Sequence, residues 1–405
     1  EGCHLYHIGD YYYIYATYGG WPTGQTIFRS SSVMGPYEEK SSWLLEKTIN
    51  GTANTVHQGA LIEIPQSGEW WTMLMEDKGA IGRLPSLHPV TWSDGWPTIC
   101  KNGVPQQTYT RPDVGSANPV TILPTNDNFR SYQLGKQWQW NHGAPTGLWS
   151  LLERPGYLRL RTSSVADDMM LARGTLTQRI FAFHKTSGGI DTTKPSTASI
   201  CLDVRGMEDG DMAGIAVQQD PYAMLAVTKD DAGKYSLVWK TGSHTGTDNF
   251  TPATKTAALD GFDAEQGIIY LRARYNNSSS EATFFYSLDN KTWTQVGSAQ
   301  QLRYNLSVFV GARWAVFNYA TRDLGGYVDL DWFTTEDTYD EAMFYPADFE
   351  GYNPDMLTVT NLALGSGSEN VDVLVGGSAD INLVATFADG HTENVAAQAS
   401  YNVKA

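Results

Sequence analysis

The sequence predicts an all-β protein of two or three domains, and three observations lead to this class. Its 405 residues exceed one ordinary domain, for which roughly 150 residues is typical. It holds 13 Trp, 22 Tyr and 14 Phe but only 18% charged residues, and 39 Gly interrupt its short apolar segments. Aromatic runs broken by turn residues are typical of strands, and no amphipathic helical pattern competes with them in the first part of the chain.

Composition also disfavours several classes of partner. The net charge of -16 and the isoelectric point of about 4.8 oppose binding to phosphate backbones and anionic membrane surfaces, which require clustered Lys and Arg. No apolar run approaches the roughly 18 residues that a membrane span needs. Cys3, Cys100 and Cys201 lie far apart, with one left over and no metal-ligand spacing. We therefore expect no nucleic acid partner, no membrane insertion and no disulfide framework.

The first domain, residues 1–124, is predicted to contain short antiparallel strands. Strand-like runs at 4–8 and 11–17 flank Gly9-Asp10, a pair suited to a two-residue type II′ hairpin turn. Further strands are predicted at 25–30, 60–63 and 70–76, with turn signals between them. Strands at this spacing are typical of propeller blades, whose loops carry function near the central axis.

The remaining chain is predicted to form a sandwich and a small module. Segments 157–162 and 328–333 alternate apolar and polar residues, which indicates half-buried strands, and four similar runs lie between them. We interpret 127–335 as one long β-sandwich and the acidic, aperiodic 336–355 as a linker. Residues 356–405 alternate as three or four strands with a turn at 376–378 but show no obvious last strand. A small immunoglobulin-like module, truncated at its end, fits this segment best.

Hydrolysis of a glycosidic bond needs one carboxylic acid to protonate the leaving oxygen and one carboxylate to activate water or attack the sugar. Glu1 heads the motif Glu-Gly-Cys-His, and a tyrosine-rich hairpin and Tyr-Gly-Gly-Trp at 18–21 follow it. Four further motifs come in order: His-Gln-Gly at 57–59, Glu-Trp-Trp at 69–71, Gly-Ala-Ile-Gly-Arg-Leu-Pro at 79–85 and the segment 89–97. This series resembles glycoside hydrolase family 43, in which proline usually stands where Cys3 does.

The resemblance continues at 134–142, 149–158, 176–179, 311–319 and 325–333, and so covers about residues 1–335. It implies part of a five-bladed propeller followed by the concanavalin A-like sandwich of xylosidase-type members. It also implies a role for several side chains. Glu1 would be the general acid, His57 would lie on the propeller axis near a bound calcium ion or water, and Arg83 would reach the substrate pocket. Phe317 would close one side of the pocket. Separately from the resemblance, an indole ring can stack on a sugar face, and we keep Trp21 as a candidate for this role.

Each of these assignments has a simpler structural alternative. An isolated histidine is more often a hydrogen-bonded core residue, and an isolated arginine is more often a solvated surface charge. Trp92 and Trp96 are interpreted as packing residues. The pairs Asp209-Gly-Asp211 and Asp329-Leu-Asp331 could bind calcium if their loops converge, although acidic turn residues are commoner than metal sites. We keep Asp331 as the candidate ligand of a structural calcium ion.

The resemblance therefore implies an inverting hydrolase of xylan or arabinoxylan oligosaccharides, either an α-L-arabinofuranosidase or a β-xylosidase, without an organic cofactor. The resemblance places the base and the pKa-raising aspartate upstream of Glu1, so the chain alone is expected to have little activity. Because polymeric xylan does not enter cells, we expect an extracellular, cell-surface or periplasmic location. The alternatives are a non-catalytic carbohydrate-binding protein with a degenerate propeller and, last, a structural surface protein.

Overall fold

The computed structural model describes residues 2–19, 22–114, 125–143, 146–179, 184–186, 189–191, 195–244, 250–303, 311–336, 358–368 and 380–399. Regular structure in these ranges consists of strands and short 3₁₀ turns, which confirms the all-β class. No helix there is long and apolar enough to cross a membrane. The chain divides into two compact units, Glu1–Thr121 with Phe309–Gly311, and Ile122–Val308 with Ala312–Ala405.

The first unit is built from two four-stranded antiparallel sheets and a small hairpin. Its strands are β1 (His4–Ile8), β2 (Tyr11–Tyr18), β3 (Gly24–Ser30), β4 (Glu38–Glu39), β5 (Thr48–Ile49), β6 (Thr52–Ala53), β7 (Val56–Glu63), β8 (Trp70–Asp77), β9 (Arg83–Ser93) and β10 (Trp96–Ile99). One sheet has the order β1-β2-β3-β4 and the other β10-β9-β8-β7, while β5 pairs with β6. Each four-stranded sheet is a simple meander, the form that propeller blades take.

The predicted hairpin at the start of the chain is confirmed. Ile8 and Tyr11 are register partners, so Gly9 and Asp10 alone form the turn. Gly9 has φ +58°, the conformation that the first turn residue of a type II′ hairpin requires. The strands then alternate, and one face of each sheet packs into an apolar core. Buried members of that core include Tyr13, Tyr15, Ile27, Leu45, Leu61, Leu74, Val90 and Ile99.

The second unit contains a sandwich of two seven-stranded sheets. Its strands are β11 (Trp138–Trp140), β12 (Trp149–Ser150), β13 (Leu158–Arg161), β14 (Leu176–Gln178), β15 (His184–Thr186), β16 (Gly189–Asp191), β17 (Ser196–Asp203), β18 (Asp211–Gln218), β19 (Tyr222–Lys229), β20 (Tyr235–Gly242), β21 (Ala253–Ala258), β22 (Ile268–Asn276), β23 (Glu281–Ser287), β24 (Thr294–Gln301), β25 (Arg313–Ala320) and β26 (Tyr327–Thr334). The sheet orders are β11-β14-β25-β18-β19-β20-β21 and β12-β13-β26-β17-β22-β23-β24, and β15 pairs with β16.

Side-chain alternation in the sandwich follows the sequence pattern. In β13, Leu158 and Leu160 are buried at 0% and 2% exposure, whereas the arginines between and after them are partly exposed. The whole of β17 is buried, as expected for a central strand covered on both faces. The cysteines are unpaired; Cys100 and Cys201 are buried and Cys3 is exposed.

A three-stranded sheet ends the described chain. It has the order β27-β28-β29, from β27 (Val359–Leu364), β28 (Leu383–Phe387) and β29 (Thr392–Asn394). A 3₁₀ turn follows, and in it Gln398 accepts a hydrogen bond from Leu151 N–H and donates one to the Tyr132 carbonyl. This sheet therefore packs with the sandwich in one unit. The predicted linker and the turn at 376–378 lie outside the described residues, except for Glu336, so the linker and the module boundaries stay predictions.

Candidate functional site

The His-Gln-Gly motif forms a β-bulge near the start of β7. The register of β7 against β8 shifts between His57 and Gly59, and Gln58 adopts a left-handed φ of +46°. Gly59 is required there, because a Cβ on it would lie 1.7 Å from the Met73 carbonyl oxygen. A bulge of this kind redirects the side chains beside it. The motif is thus a backbone device that sets the direction of the His57 side chain.

His57 contacts a buried carboxylate on the neighbouring strand. Its side chain is 5% exposed, and its Nε2 lies 2.9 Å from Oδ2 of Asp77, the last residue of β8. The neutral imidazole must carry its proton on Nε2 to donate to this carboxylate. Nδ1 is then the acceptor nitrogen, and it is buried without a hydrogen-bond partner among the described residues. The geometry therefore assigns a single tautomer to neutral His57.

Arg83 contacts the other oxygen of the same carboxylate. Asp77 and Arg83 are register partners at the ends of β8 and β9, joined by a turn in which Gly79 and Gly82 have φ +57° and +84°. Arg83 Nε lies 3.1 Å from Asp77 Oδ1, and the two side chains are 25% and 13% exposed. Asp77 thus connects both predicted site residues. Sequence reasoning missed it, although its position six residues before the arginine, across a glycine-rich turn, is a usable signal.

The start of the described chain lies against the same bulge. A Cβ on Gly2 would be 2.7 Å from the side-chain amide nitrogen of Gln58. The backbone at Gly2, directly after the predicted acid in the sequence, therefore approaches Gln58, the residue next to His57. The buried Gln25 accepts hydrogen bonds from Gln58 N–H and from the Thr17 hydroxyl, which supports the bulge from β3. Two of the predicted site residues, Glu1 and Trp21, lie outside the described residues.

A metal ion at His57 finds few ligands in this chain. Calcium prefers six to eight oxygen ligands. His57 Nδ1 could supply one nitrogen, yet the described ranges contain no group of three or more His, Cys, Asp or Glu side chains that could hold a metal. The described residues therefore do not fit a calcium ion by themselves, and the calcium role of His57 stays a prediction.

The second predicted calcium position has a different environment. Asp329 is buried, and both of its oxygens accept hydrogen bonds from the Arg159 guanidinium at 2.8 and 2.9 Å. Arg154 bridges it to Asp203, at 3.0 and 2.7 Å. The carboxylate of Asp329 is therefore neutralised by arginines. The structure gives no support to a metal at the Asp-Leu-Asp segment, and the role of Asp331 stays a prediction.

The predicted aromatic residues fall into two groups. Phe317 is 1% exposed and packs in a core cluster of the sandwich with Tyr319 and Met224. The structure therefore gives Phe317 a packing role, in place of the pocket-closing role expected. The packing interpretation of Trp92 and Trp96 is confirmed, because the Trp92 ring meets Tyr13 edge-on at 5.4 Å, and Trp96 lies 4.0 Å beneath an arginine guanidinium.

Two family models match separate parts of the chain. Residues 1–97 match the glycosyl hydrolases family 43, and residues 126–336 match the β-xylosidase C-terminal concanavalin A-like domain. The predicted resemblance is thus confirmed, together with the concanavalin A-like sandwich.

Curated relatives and solved structures agree with these matches. A β-xylosidase of Formosa agariphila is 33% identical over 76% of this chain and 52% of its own length. The non-reducing end α-L-arabinofuranosidase BoGH43B of Bacteroides ovatus is 30% identical over 60% of this chain and 46% of its own. The chain thus spans about half the length of these relatives. A structure described as a bifunctional GH43-CE protein of Bacteroides eggerthii has a TM-score of 0.68 and 31% identity, covering 91% of this chain and 44% of that one. On these grounds the chain belongs to glycoside hydrolase family 43 and carries the concanavalin A-like domain of its β-xylosidases.

Proposed function

We propose that this chain is part of a glycosidase that releases arabinofuranose or xylose from xylan-derived substrates. The observation that carries the proposal is the contact of Asp77 with both His57 and Arg83 in a family 43 sheet. Relatives named β-xylosidase and α-L-arabinofuranosidase support the sugar class. A GH43 structure that is 29% identical, with TM-score 0.68 over 82% of this chain and 64% of that one, is described as an engineered enzyme with endo-xylanase and exo-arabinofuranosidase activity.

Arg83 would bind the substrate or a catalytic carboxylate. A guanidinium presents five N–H donors in a planar fork, and Nε uses one of them on Asp77. Anchoring Nε restricts the plane of the fork before any sugar arrives. A donor that is already oriented loses less conformational freedom on binding, so it contributes more to affinity than a mobile one. We assign Arg83 to substrate positioning and Asp77 to holding it.

The chemistry itself would be inversion by two carboxyl groups. Glu1 would act as the general acid, with a base aspartate and a second, acid-orienting aspartate upstream of it in the longer protein. Inversion needs the acid and base about 6.5–9.5 Å apart, so that a water fits between base and sugar. A glutamate near its ordinary pKa of about 4.3 is mostly ionised at neutral pH, so the acid needs a neighbour that raises its pKa.

The location and the calcium ion belong to the same proposal. A hydrolase of polymeric xylan would act outside the cell, at its surface or in the periplasm. A calcium ion near His57 would require oxygen ligands from beyond the described residues.

Release of p-nitrophenol from arabinofuranoside and xyloside substrates tests the proposed function. Four proteins are compared: this chain, the longer gene product that includes the upstream sequence, and that product with Glu1→Gln or Arg83→Ala. We expect turnover by the longer product, a large loss with Glu1→Gln and a smaller loss with Arg83→Ala. Asp10→Asn, in the exposed turn of the first hairpin, is the matched control and should keep full activity. If the longer product binds xylan but releases neither sugar, the proposed enzyme function is wrong and a carbohydrate-binding function takes its place.

A further inference from the structure

Two arginines lie close together near one edge of the sandwich. Arg179 directly follows β14, and Arg313 is the first residue of β25, the strand that pairs with β14. Both side chains contact strand β11, Arg179 through the Trp138 carbonyl and Arg313 through the Gln139 side chain. Two like charges held near each other in this way repel.

Within the described part of the chain, neither arginine is paired with an acidic side chain. Arg179 Nε donates to the Trp138 carbonyl at 3.1 Å, and Arg313 Nη1 donates to Gln139 Oε1 at 3.0 Å. Both acceptors are uncharged, and the described ranges hold no carboxylate in an ion pair with either guanidinium. Burial, followed by the charge of Arg179, lowers the pKa of Arg313. The chain has 44 acidic and 28 basic residues, so the lack of a carboxylate partner here does not come from a shortage of acidic side chains.

The pair borders a groove suited to a sugar. The groove has a volume of about 600 Å³, and residues 134–136 and 138–141 line it together with Gly143 and Arg179. Lys136, Gln139 and Arg179 are exposed, and the Trp140 ring is half-buried against a second indole. Saccharide sites combine an aromatic face for the sugar ring with a few polar groups for its hydroxyls. Lys136 and Arg179 add positive charge to the groove, which favours a ligand with a carboxylate. A guanidinium can bind a carboxylate through two parallel hydrogen bonds.

We propose that this groove is a binding site for the carboxylate-bearing sugar of an acidic xylan oligosaccharide. Arg179 and Arg313 would bind the uronic acid carboxylate, Lys136 would add a third positive charge, and Trp140 would pack against a sugar ring. The carboxylate requirement follows from the unneutralised arginines. The choice of xylan rests on the proposed function.

Calorimetric titration of this chain tests the site without any turnover. The ligands are xylotetraose bearing one glucuronic acid, unsubstituted xylotetraose and free glucuronic acid. We expect the acidic oligosaccharide to bind at least about tenfold more tightly than the neutral one, as the loss of a charge-assisted hydrogen bond would predict. The difference should shrink as salt is added. Equal affinity for the two oligosaccharides would overturn the inference, and so would equal affinity for free glucuronic acid and the acidic oligosaccharide, which would reduce the site to simple anion binding.

Substitution of Arg179 separates recognition from structure. Arg179→Gln should weaken binding of the acidic ligand by about tenfold and leave the neutral ligand unchanged. Because the change also relieves like-charge repulsion, the unfolding temperature should not fall. The matched control is Lys255→Gln, an exposed cation on β21 at the opposite edge of the same sheet. A similar loss of acidic-ligand binding in both variants would show a general charge effect and sink the proposal.

A third variant distinguishes this site from the proposed catalytic one. Arg83→Ala should keep the preference for the acidic ligand, because Arg83 is not among the residues that line the groove. If Arg83→Ala abolishes the preference and Arg179→Gln does not, the acidic sugar binds in the propeller and the inference is wrong. If the longer gene product proves inactive while binding still depends on Arg179, only the proposed catalytic function falls.

Discussion

Replacing Asp77 by Asn removes the charge that contacts both His57 and Arg83 while keeping the size of the side chain. The carboxylate accepts from His57 Nε2 at 2.9 Å and from Arg83 Nε at 3.1 Å, one through each oxygen. An asparagine has only one acceptor oxygen. The Arg83 N–H can only donate, so the oxygen should stay with Arg83 and the amide N–H₂ should turn to His57. Neutral His57 would then have to move its proton from Nε2 to Nδ1.

The size of the effect follows from these two contacts. A hydrogen bond that involves a charged group contributes about 1.5–3 kcal/mol, and each 1.4 kcal/mol corresponds to about a factor of ten. Asp77 is only 13% exposed, so water replaces the lost charge poorly. A neutral amide oxygen holds Arg83 less firmly than the carboxylate does, so kcat/KM of the longer gene product should fall by about ten- to a hundredfold. We expect the loss mainly in KM if Arg83 binds the ground state, and in kcat if it binds the transition state.

Two measurements check this prediction, and one of them needs no activity. Nitrogen-15 spectra of the histidine-labelled 405-residue chain report which ring nitrogen of His57 carries the proton. Wild type should show the Nε2–H form, and Asp77→Asn should show the Nδ1–H form. Steady-state kinetics of the longer product give the change in kcat/KM, with Asp10→Asn as the control. An unchanged tautomer together with unchanged kinetics would refute the positioning role of Asp77.

Three further predictions concern stability. Gly59→Ala should destabilise the first unit by at least about 1–3 kcal/mol in chemical denaturation, because its Cβ would overlap the Met73 carbonyl; an unchanged midpoint would contradict the tight strand approach. Asp329→Asn should cost about 3–5 kcal/mol and lower the unfolding temperature, since it leaves two partly buried arginines short of their shared, buried carboxylate; a variant as stable as wild type would argue against the ion-pair network. Burial raises the pKa of Asp211 to about 6, above its unfolded value of about 3.9, so the native state holds a proton that the unfolded chain has released. The free energy of unfolding should therefore fall as pH rises from about 4 to 6, and Asp211→Asn should flatten that slope in denaturation curves measured across this range.

Local features were predictable where one residue type satisfies one backbone requirement. Gly9-Asp10 predicted the first hairpin because a type II′ turn needs positive φ at its first turn residue, and Gly9 has φ +58°. The alternation of β13 predicted which leucines are buried. The His-Gln-Gly motif marked a site, but the sequence did not show that Gln58 is a bulge residue, because the bulge depends on how β7 and β8 pair.

Asp77 was missed because its role depends on contacts between strands. In the sequence it precedes Lys and Gly and reads as an ordinary turn residue. Its partner His57 lies 20 positions earlier, and the contact depends on the register that the bulge sets. Six residues separate it from Arg83, and only the pairing of β8 with β9 places the two side by side. The six-residue spacing across a glycine-rich turn suggests the contact with Arg83, but only the register confirms it.

Phe317 and the Asp-Leu-Asp segment show how contacts between strands limit pattern analysis. Seven of the eight residues of β25 are buried, so neither face is marked by polar residues, and an aromatic on it can point either way. The Asp-Leu-Asp segment on β26 looked like a metal-binding pattern because carboxylates are calcium ligands. Arg159 is 170 positions from Asp329 and reaches it because β13 pairs with β26. This long-range cation makes Asp329 part of an ion pair, and nothing in the local sequence indicates it.

The candidate site is held together by one sheet. His57, Asp77 and Arg83 come from three consecutive strands, β7, β8 and β9, that pair directly with one another. Their distances therefore depend on the register of a single meander and on two short connections, with glycines where the backbone needs left-handed φ. Hairpin contacts of this kind close short loops and need no distant strand to define them. We accordingly expect the Asp77-dependent tautomer of His57 to be present in the 405-residue chain itself, even where turnover requires the longer gene product.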